Sequence, residues 1–215
     1  VFSLLNKLLE QNSYKDISIG LNVAVATVKR WSKLQKIPSQ YTFEILKLSK
    51  IHIDYTKFDF REKDQFFTSN DTANYCYNKA KQIIASYGDS FEDYSYIEPS
   101  AGDGCILERL PKERRIGIDL EPRHDEVIGS DFLEWLPEDD KKYITLGNPP
   151  FGVRGDMIVK FVQHASKFSD VIALGVPDYF KMEVDGMEMV CNKQLSDNKY
   201  RLVDGTETSI PIRMH

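Results

Sequence analysis

The segment GNPPFG, residues 147–152, combines residue types that can hold a planar amine. Two consecutive prolines fix the backbone and remove two hydrogen-bond donors, so the carbonyl of Pro149 is held in place. Asn148 offers a side-chain oxygen beside that carbonyl, and Phe151 adds an aromatic ring. Two convergent acceptors and a ring favour an amine-binding site. The alternative is a rigid loop that contains prolines for purely structural reasons.

A turn with two glycines, IEPSAGDG at residues 97–104, stands earlier in the chain. Glycines between a strand and a helix let a ligand approach the backbone closely, and open α/β sheets bind ligands at the carboxyl ends of their strands. Leu107 breaks the dinucleotide spacing G-x-G-x-x-G, and the turn contains no Gly-Lys-Ser/Thr of a phosphate-binding loop. We therefore expect a ligand without a polyphosphate, although many nucleotide-binding folds share a bare Gly-x-Gly.

Two acidic residues follow the next two predicted strands. Asp119 ends the strand in IGIDL, where a carboxylate can accept hydrogen bonds from two ribose hydroxyls. Asp131 and Phe132 stand in SDFLEW, where an acid beside an aromatic ring can bind an adenine amino group and cover its ring face. Either acid alone is more often a strand-end or helix-capping residue. The order and spacing of the four segments carry the prediction.

Together, EPSAGDG, GIDL, SDFLEW and GNPPF resemble the amino-group methyltransferases that use S-adenosylmethionine. They look most like the DNA adenine-N6 class in which the cofactor motif precedes the catalytic motif. FFTSNDTANYCY, from Phe66, resembles the segment just upstream in that class, with Ser69 where the family usually has proline. The resemblance covers about residues 66–180. It implies a Rossmann-like class I methyltransferase sheet and the cofactor S-adenosyl-L-methionine. Glu98-Pro99 at the start of the cofactor motif favours DNA adenine as the methyl acceptor.

The resemblance also implies roles for individual residues. The catalytic set is Asn148, Pro149, Pro150 and Phe151. The Asn148 side chain and the Pro149 carbonyl would accept hydrogen bonds from the two N–H groups of the amine, and Phe151 would stack on the base. Thr68 would contact the methionine carboxylate of the cofactor, and Glu98, Gly102 and Gly104 would surround its methionine part. Asp119 would contact the ribose, and Asp131 with Phe132 the adenine. The other implied cofactor contacts are Pro99, Ser100, Leu120 and Asn148. Positioning and electrostatics would carry the rate effect without a metal. A base in duplex DNA would first be extruded.

Beyond about residue 66, helical segments alternate with short apolar runs, which predicts an α/β fold with a parallel, doubly wound sheet. The predicted strands are 94–97, 115–118, 127–128, 143–146 and 171–176, and the predicted helices are about 70–87 and 156–168. The last predicted strand ends at VPDYFKM. Residues 187–215 are polar and poorly patterned, so the sequence indicates no element there.

The first part of the chain is predicted to be helical, at residues 2–9, 14–20, 25–34 and 41–48, before a polar linker at 51–65. YKDISIGLNVAVATVKRWSKL resembles a helix-turn-helix, with core positions at Ile17, Leu21, Val23, Val28 and Trp31. Ser18 replaces the usual alanine, and Asn22 the usual turn glycine, although asparagine tolerates the left-handed conformation. DNA contacts would come from Thr27, Lys29, Arg30 and Lys33 on the second helix, which enters a major groove in this motif. A helical cap packed on the catalytic domain is the alternative.

We therefore predict two domains, a small all-α helix-turn-helix-like domain at 1–60 and a methyltransferase domain at 61–215. Charge divides in the same way. The chain has 28 basic and 33 acidic side chains, a net charge of −5. Residues 1–60 hold nine basic and five acidic residues, a balance of +4, which leaves −9 for the remainder. A polyanion would contact the basic residues 1–60 first. The alternative is that these charges only form a solvated helical face.

Composition excludes several classes of protein. Hydrophobic residues at 41% and charged residues at 28% are ordinary for a globular protein and argue against disordered, collagen-like and coiled-coil chains. No apolar run approaches the roughly 18 residues of a membrane helix, so we expect a soluble protein without a membrane partner. Three scattered cysteines and four histidines give no disulfide framework and no metal-site spacing. A reducing, cytoplasmic location fits best.

The chain opens at Val1 rather than methionine, so we expect a fragment or a processed chain. Only about 35 residues follow Phe180, fewer than a target-recognition region usually needs. Specificity would then come from the amino-terminal helices, a partner subunit or sequence outside this chain, as in a restriction–modification system. Two rival functions remain open: an N-methyltransferase acting on RNA or protein, and a noncatalytic cofactor-binding or DNA-binding subunit. The intact Asn-Pro-Pro-Phe argues against the second rival.

Overall fold

The computed structural model describes residues 2–51, 53, 58, 65–195, 199–202 and 206–215. The chain divides into two compact units, Val1–Asp64 and Gln65–His215. This division falls slightly after the predicted domain boundary at residue 60. Most of the predicted linker, residues 51–65, lies outside the described residues, and each unit is described by itself.

The amino-terminal unit contains, in its described part, four α-helices: α1 (Phe2–Gln11), α2 (Tyr14–Gly20), α3 (Val25–Leu34) and α4 (Thr42–Leu48). The helical predictions for this region are confirmed. Helix α2 begins with a capping box, since the Ser13 hydroxyl accepts from the Asp16 amide while the Asp16 carboxylate accepts from the Ser13 amide. The apolar faces meet in one core, which includes Leu5, Leu8, Ile17, Leu21, Val28, Trp31, Tyr41 and Ile45.

The second unit is built on a mostly parallel sheet. Its strands are β1 (Phe67–Thr68), β2 (Ser95–Glu98), β3 (Arg115–Asp119), β4 (Val127–Gly129), β5 (Tyr143–Gly147), β6 (Val171–Pro177), β7 (Lys193–Gln194), β8 (Lys199–Arg201), β9 (Glu207–Ser209) and β10 (Ile212–Met214). Among the described residues, seven of them form one sheet in the order β4-β3-β2-β5-β6-β10-β7. Strands β2 to β6 are mutually parallel, and β10 is antiparallel to both β6 and β7.

Helices cover both faces of this sheet, as the buried apolar strands require. Helix α5 (Asn70–Ser86) packs Ala80 and Ile84 into a cluster with Tyr96 of β2. Helix α6 (Asp156–Ala165) packs Phe161 into a different cluster with Ile97. Because neighbouring strand residues point to opposite faces, the two helices lie on opposite sides of β2. The predicted mixed α/β architecture with a largely parallel central sheet is confirmed.

The strand order reverses between β2 and β5. The chain proceeds outward from β2 through β3 to β4, and then in the other direction from β5 to β6. Crossovers diverge at such a point and leave a crevice beyond the carboxyl ends of the two central strands, which is where open α/β sheets bind their ligands. Glu98 ends β2 and Gly147 ends β5, so the turn at 97–104 and the Asn-Pro-Pro-Phe loop both begin at this place.

Four strands lie in the part of the chain for which the sequence indicated no element. Strand β10 pairs with β6, and its side chains Ile212 and Met214 are buried. Strand β8 pairs antiparallel with both β1 and β9 in a small second sheet. These strands have two or three residues, too few for a pattern of alternating polarity to show. No helix in the described ranges has the length and apolar character to cross a membrane.

Candidate active site

The four segments singled out by sequence follow the carboxyl ends of four parallel strands, β2 to β5, and therefore share one edge of the sheet. Hydrogen bonds join three of them directly. The Asp119 carboxylate after β3 accepts from the Gly102 amide at 2.8 Å. The Ser100 hydroxyl donates to the main-chain carbonyl of Asn148 at 2.9 Å. The structure thus brings the turn after β2 into contact with both Asp119 and the Asn-Pro-Pro-Phe loop.

Both glycines of the turn after β2 have left-handed backbone conformations, with φ of +51° at Gly102 and +78° at Gly104. A β-carbon on Gly102 would lie 3.0 Å from the Phe67 ring, and one on Gly104 would lie 2.7 Å from the His124 ring. Both positions therefore favour glycine for two reasons: the backbone is left-handed, and a β-carbon would lie too close to a neighbouring ring. The groups that approach closely in this structure are side chains of the chain itself.

Glu98 contributes a buried carboxyl group at the strand reversal. Its side chain is 3% exposed, and burial raises its pKa well above the usual value. The Leu107 amide donates to it and opposes that rise, whereas the nearby negative charges of Asp103 and Asp119 add to it. Within the described residues, Glu98 Oε2 has no hydrogen-bond partner. A buried polar atom without a partner is costly, whether the carboxyl group is protonated or ionised, so this oxygen suits a ligand that brings a hydrogen-bonding group.

Asp119 is half-buried at the end of β3, beside the exposed Leu120. Burial raises the pKa of its carboxyl group, and the amides of Glu121 and Gly102 oppose that rise by donating to it. Each of its two oxygens accepts one of these amides. Since a carboxylate has about four acceptor sites, capacity remains for hydroxyl donors from a ligand. The role of Asp119 at a ribose stays a prediction.

The predicted role of the Phe132 ring is wrong. Its side chain is 2% exposed and packs in the core beneath α6, with ring centroids 5.1 Å from Phe161 and 5.1 Å from His164. A ring enclosed in this way cannot cover the face of an adenine, so Phe132 could meet a ligand only through its backbone. Asp131 caps a short 3-10 turn, because its side chain accepts from the Leu133 amide at 3.0 Å. Asp131 thus has the capping role that the sequence offered as the alternative.

Asn148 is half-buried, and two elements besides its own loop contact it. Ser100 holds its main-chain carbonyl, and the Tyr200 hydroxyl of β8 donates to its Oδ1 at 3.2 Å. A β-carbon on Gly175 of β6 would lie 3.1 Å from the same oxygen, so glycine leaves room for it. Phe151 is partly buried and packs against two apolar clusters, one of which contains Tyr200. The carboxamide oxygen is therefore located by groups distant in sequence.

Sequence reasoning missed the contribution of β8. Tyr200 contacts Asn148, and Arg201 Nη2 donates to Asp103 Oδ2 at 2.6 Å, so one short strand contacts the two loops of the site. Thr68, the expected partner of the methionine carboxylate, is 7% exposed and lies opposite Tyr200 in the pairing of β1 with β8. No sequence pattern marks β8, because residues 187–215 are mostly polar. Pro99 is buried, and its ring would lie 3.1 Å from a β-carbon on Gly147.

The helix-turn-helix-like segment has the expected backbone. Asn22 adopts the left-handed conformation with φ of +49°, and the Val23 amide donates to the Ser18 carbonyl at 2.9 Å across the turn between α2 and α3. Trp31 is 3% exposed and contacts Tyr41 in the core, as predicted. Of the predicted DNA-contacting residues, Lys29, Arg30 and Lys33 are exposed and Thr27 is half-buried. Helix α3 thus presents three basic side chains to solvent.

Within the described part of the chain, no group of three or more His, Cys, Asp or Glu residues is placed to hold a metal ion. Comparison with protein-family models, with curated proteins and with solved structures finds no match for this chain.

Proposed function

We propose that this protein transfers a methyl group from S-adenosylmethionine to the exocyclic N6 amine of adenine in DNA. The observation that carries the proposal is the position of the Asn-Pro-Pro-Phe loop. Its acceptors Asn148 Oδ1 and Pro149 O stand at the strand reversal, and a hydrogen bond from Ser100 ties the loop to the turn after β2. The proposed amine site and the proposed cofactor-binding turn would therefore be adjacent.

The residues around that turn fit the cofactor. Glu98 Oε2 has no hydrogen-bond partner in the described structure, and the carboxylates of Asp103 and Asp119 are close enough to raise the pKa of Glu98. Such a cluster favours a cationic ligand that carries N–H donors. Asp119 has acceptor capacity for ribose hydroxyls, and the exposed Leu120 beside it offers an apolar surface. When bound, the cofactor would supply an electrophilic methyl group, whose bond to sulfur would break as the bond to nitrogen forms; a neutral thioether would leave, and the methylated amine would release one proton to solvent.

The acceptor loop would act by positioning the amine. The lone pair of an adenine amine is delocalised into the ring, so this nitrogen is a weak nucleophile. Asn148 Oδ1 and Pro149 O would accept hydrogen bonds from its two N–H groups and favour a pyramidal nitrogen, while Phe151 would lie against the base. Oriented acceptors of this kind act where charge develops and need no rearrangement during the reaction.

The basic amino-terminal unit supports DNA as the substrate. Helix α3 follows a left-handed turn at Asn22 and exposes Lys29, Arg30 and Lys33, which suits a helix that lies in a major groove and contacts phosphates. An adenine in duplex DNA would have to be extruded to reach Asn148. Target recognition would rest on these helices or on a partner subunit.

The test is methyl transfer from tritiated cofactor to duplex DNA, single-stranded DNA and RNA in parallel, followed by nucleoside analysis. We expect N6-methyladenine in DNA. Asn148→Ala should lower the transfer rate by about 100-fold or more, with cofactor affinity measured by calorimetry nearly unchanged. Asn78→Ala, which removes an exposed carboxamide from α5, should match the wild type.

Each contrary outcome has a defined meaning. Transfer that survives in Asn148→Ala would refute the assigned role of this residue. Label found only in RNA would replace DNA as the acceptor. Cofactor binding without transfer to any nucleic acid would favour a noncatalytic subunit or an enzyme that needs a partner.

A further inference from the structure

Tyr200 is held rigidly beside the acceptor loop. It is fully buried in the middle of β8, where it pairs with Thr68 of β1 on one side and Thr208 of β9 on the other. Its ring lies in an apolar cluster with Cys76 and Leu195, and Phe151 packs against that cluster. A side chain enclosed on all these sides has little freedom to change rotamer, so its hydroxyl occupies a defined position.

The Tyr200 hydroxyl determines which atom of the Asn148 carboxamide faces it. Asn148 Oδ1 is the hydrogen-bond partner that the described residues provide for this hydroxyl, at 3.2 Å. A buried tyrosine hydroxyl needs an acceptor for its proton. If the carboxamide were turned over, its Nδ2 would donate to the tyrosine oxygen and that proton would be left without an acceptor. Burial also raises the pKa of Tyr200, which keeps the hydroxyl protonated and able to donate.

We infer that Tyr200 positions the Asn148 carboxamide for methyl transfer by holding Oδ1 with one hydrogen bond and leaving its second lone pair for an N–H of the acceptor amine. This inference rests on the proposed function of the Asn148 loop. Tyr200 acts through Asn148 and is a positioning residue. Gly175 permits the arrangement, because a β-carbon there would lie 3.1 Å from Oδ1.

The test compares two tyrosine-to-phenylalanine variants of the full chain. Tyr200→Phe removes the hydroxyl that reaches Asn148. Tyr96→Phe is the matched control, because Tyr96 is also fully buried and its hydroxyl donates to a main-chain carbonyl, that of Phe91. For Tyr200→Phe we expect kcat to fall by about tenfold, the rate equivalent of one net hydrogen bond at the upper end of its range. The KM for DNA and the Kd for the cofactor should stay at their wild-type values.

A purely structural role for Tyr200 predicts a different result. The two variants would then show similar decreases in thermal stability, and kcat per folded molecule would be unchanged in both. That outcome would overturn the inference. A fall in kcat for Tyr96→Phe equal to that for Tyr200→Phe would also overturn it.

A second measurement separates this inference from the proposed function. The side-chain amide signals of Asn148 can be assigned in a ¹⁵N-labelled protein by their absence from Asn148→Ala. We expect Tyr200→Phe to shift or broaden them and Tyr96→Phe to leave them in place. Unmoved signals in Tyr200→Phe would overturn the inference whether or not the wild type methylates DNA. A different result is a wild type that shows no methyl transfer while its Asn148 signals respond to Tyr200→Phe. That result would refute the proposed function and confirm the hydrogen bond between Tyr200 and Asn148.

Discussion

Glu98 illustrates how the fold raises the pKa of a single side chain. The residue ends β2, and its carboxyl group is buried with one oxygen lacking a partner in the described structure. Burial favours the protonated form and raises the pKa of the group well above 4.5. Between pH 4.5 and that raised pKa, the folded protein holds a proton that the unfolded chain has released. The free energy of unfolding must therefore fall as the pH rises through this window.

Glu98→Gln removes this titration. We expect the free energy of unfolding of the variant to fall less steeply above pH 4.5 than that of the wild type, by up to about 1.4 kcal/mol per pH unit, the limit for one proton. Urea unfolding at a series of pH values measures the difference. Glu113→Gln, which changes an exposed acid, should keep the wild-type slope. Parallel slopes for Glu98→Gln and the wild type would mean that Glu98 titrates normally in the folded protein.

Contacts between loops and strands bring the residues of the candidate site together. The turn after β2 reaches Asn148 through the Ser100 hydroxyl, and β8 reaches Asp103 and Asn148 through Arg201 and Tyr200. The Arg201–Asp103 ion pair is partly exposed to solvent, so it adds little stability and mainly fixes which groups face each other. The neutral hydrogen bond from Ser100 is the direct link between the proposed cofactor and amine sites.

Ser100→Ala breaks that link. One neutral hydrogen bond contributes about 1 kcal/mol, so we expect a melting temperature lower by about 2–4 °C and a several-fold lower kcat. The matched control is Ser166→Ala. Ser166 directly follows α6, and its hydroxyl donates to the Gln163 carbonyl at the surface. Calorimetry and methyl-transfer assays on both variants make the comparison. A kcat equal to that of the wild type would show that the two loops hold their positions without this bond.

Charge separates the two parts of the whole molecule. Residues 1–60 carry +4 and the remainder −9, so a polyanion is attracted to one part and repelled by the other. The exposed basic residues of α3 lie in the attractive part. This division predicts that DNA affinity and cofactor affinity respond to different substitutions.

Replacing Lys29 and Arg30 together by alanine should weaken DNA binding and leave the cofactor Kd unchanged. The slope of log K against log salt concentration should become shallower by about one for each phosphate that the variant no longer neutralises. The control replaces Lys7 and Lys15, exposed residues of α1 and α2, and removes the same charge from other helices. Binding titrations at several salt concentrations distinguish the two. A slope for the Lys29 and Arg30 variant equal to that of the wild type would refute DNA contact by α3 and favour the alternative, a helical cap.

The sequence by itself determined the central strands β2 to β6, the helices beside them and the order of the motifs at their ends. These features follow from local patterns: apolar runs, helical periodicity, and turn residues such as Gly102 and Asn22 whose left-handed conformations the structure shows. Only the tertiary structure decided that the Phe132 ring belongs to the core and that Tyr200 contacts Asn148. Both depend on segments that lie far apart in the chain, α6 beneath Phe132 and β8 beside Asn148. A side chain's burial and its hydrogen-bond partner are set by the packing of such segments, which no local pattern of residue types encodes.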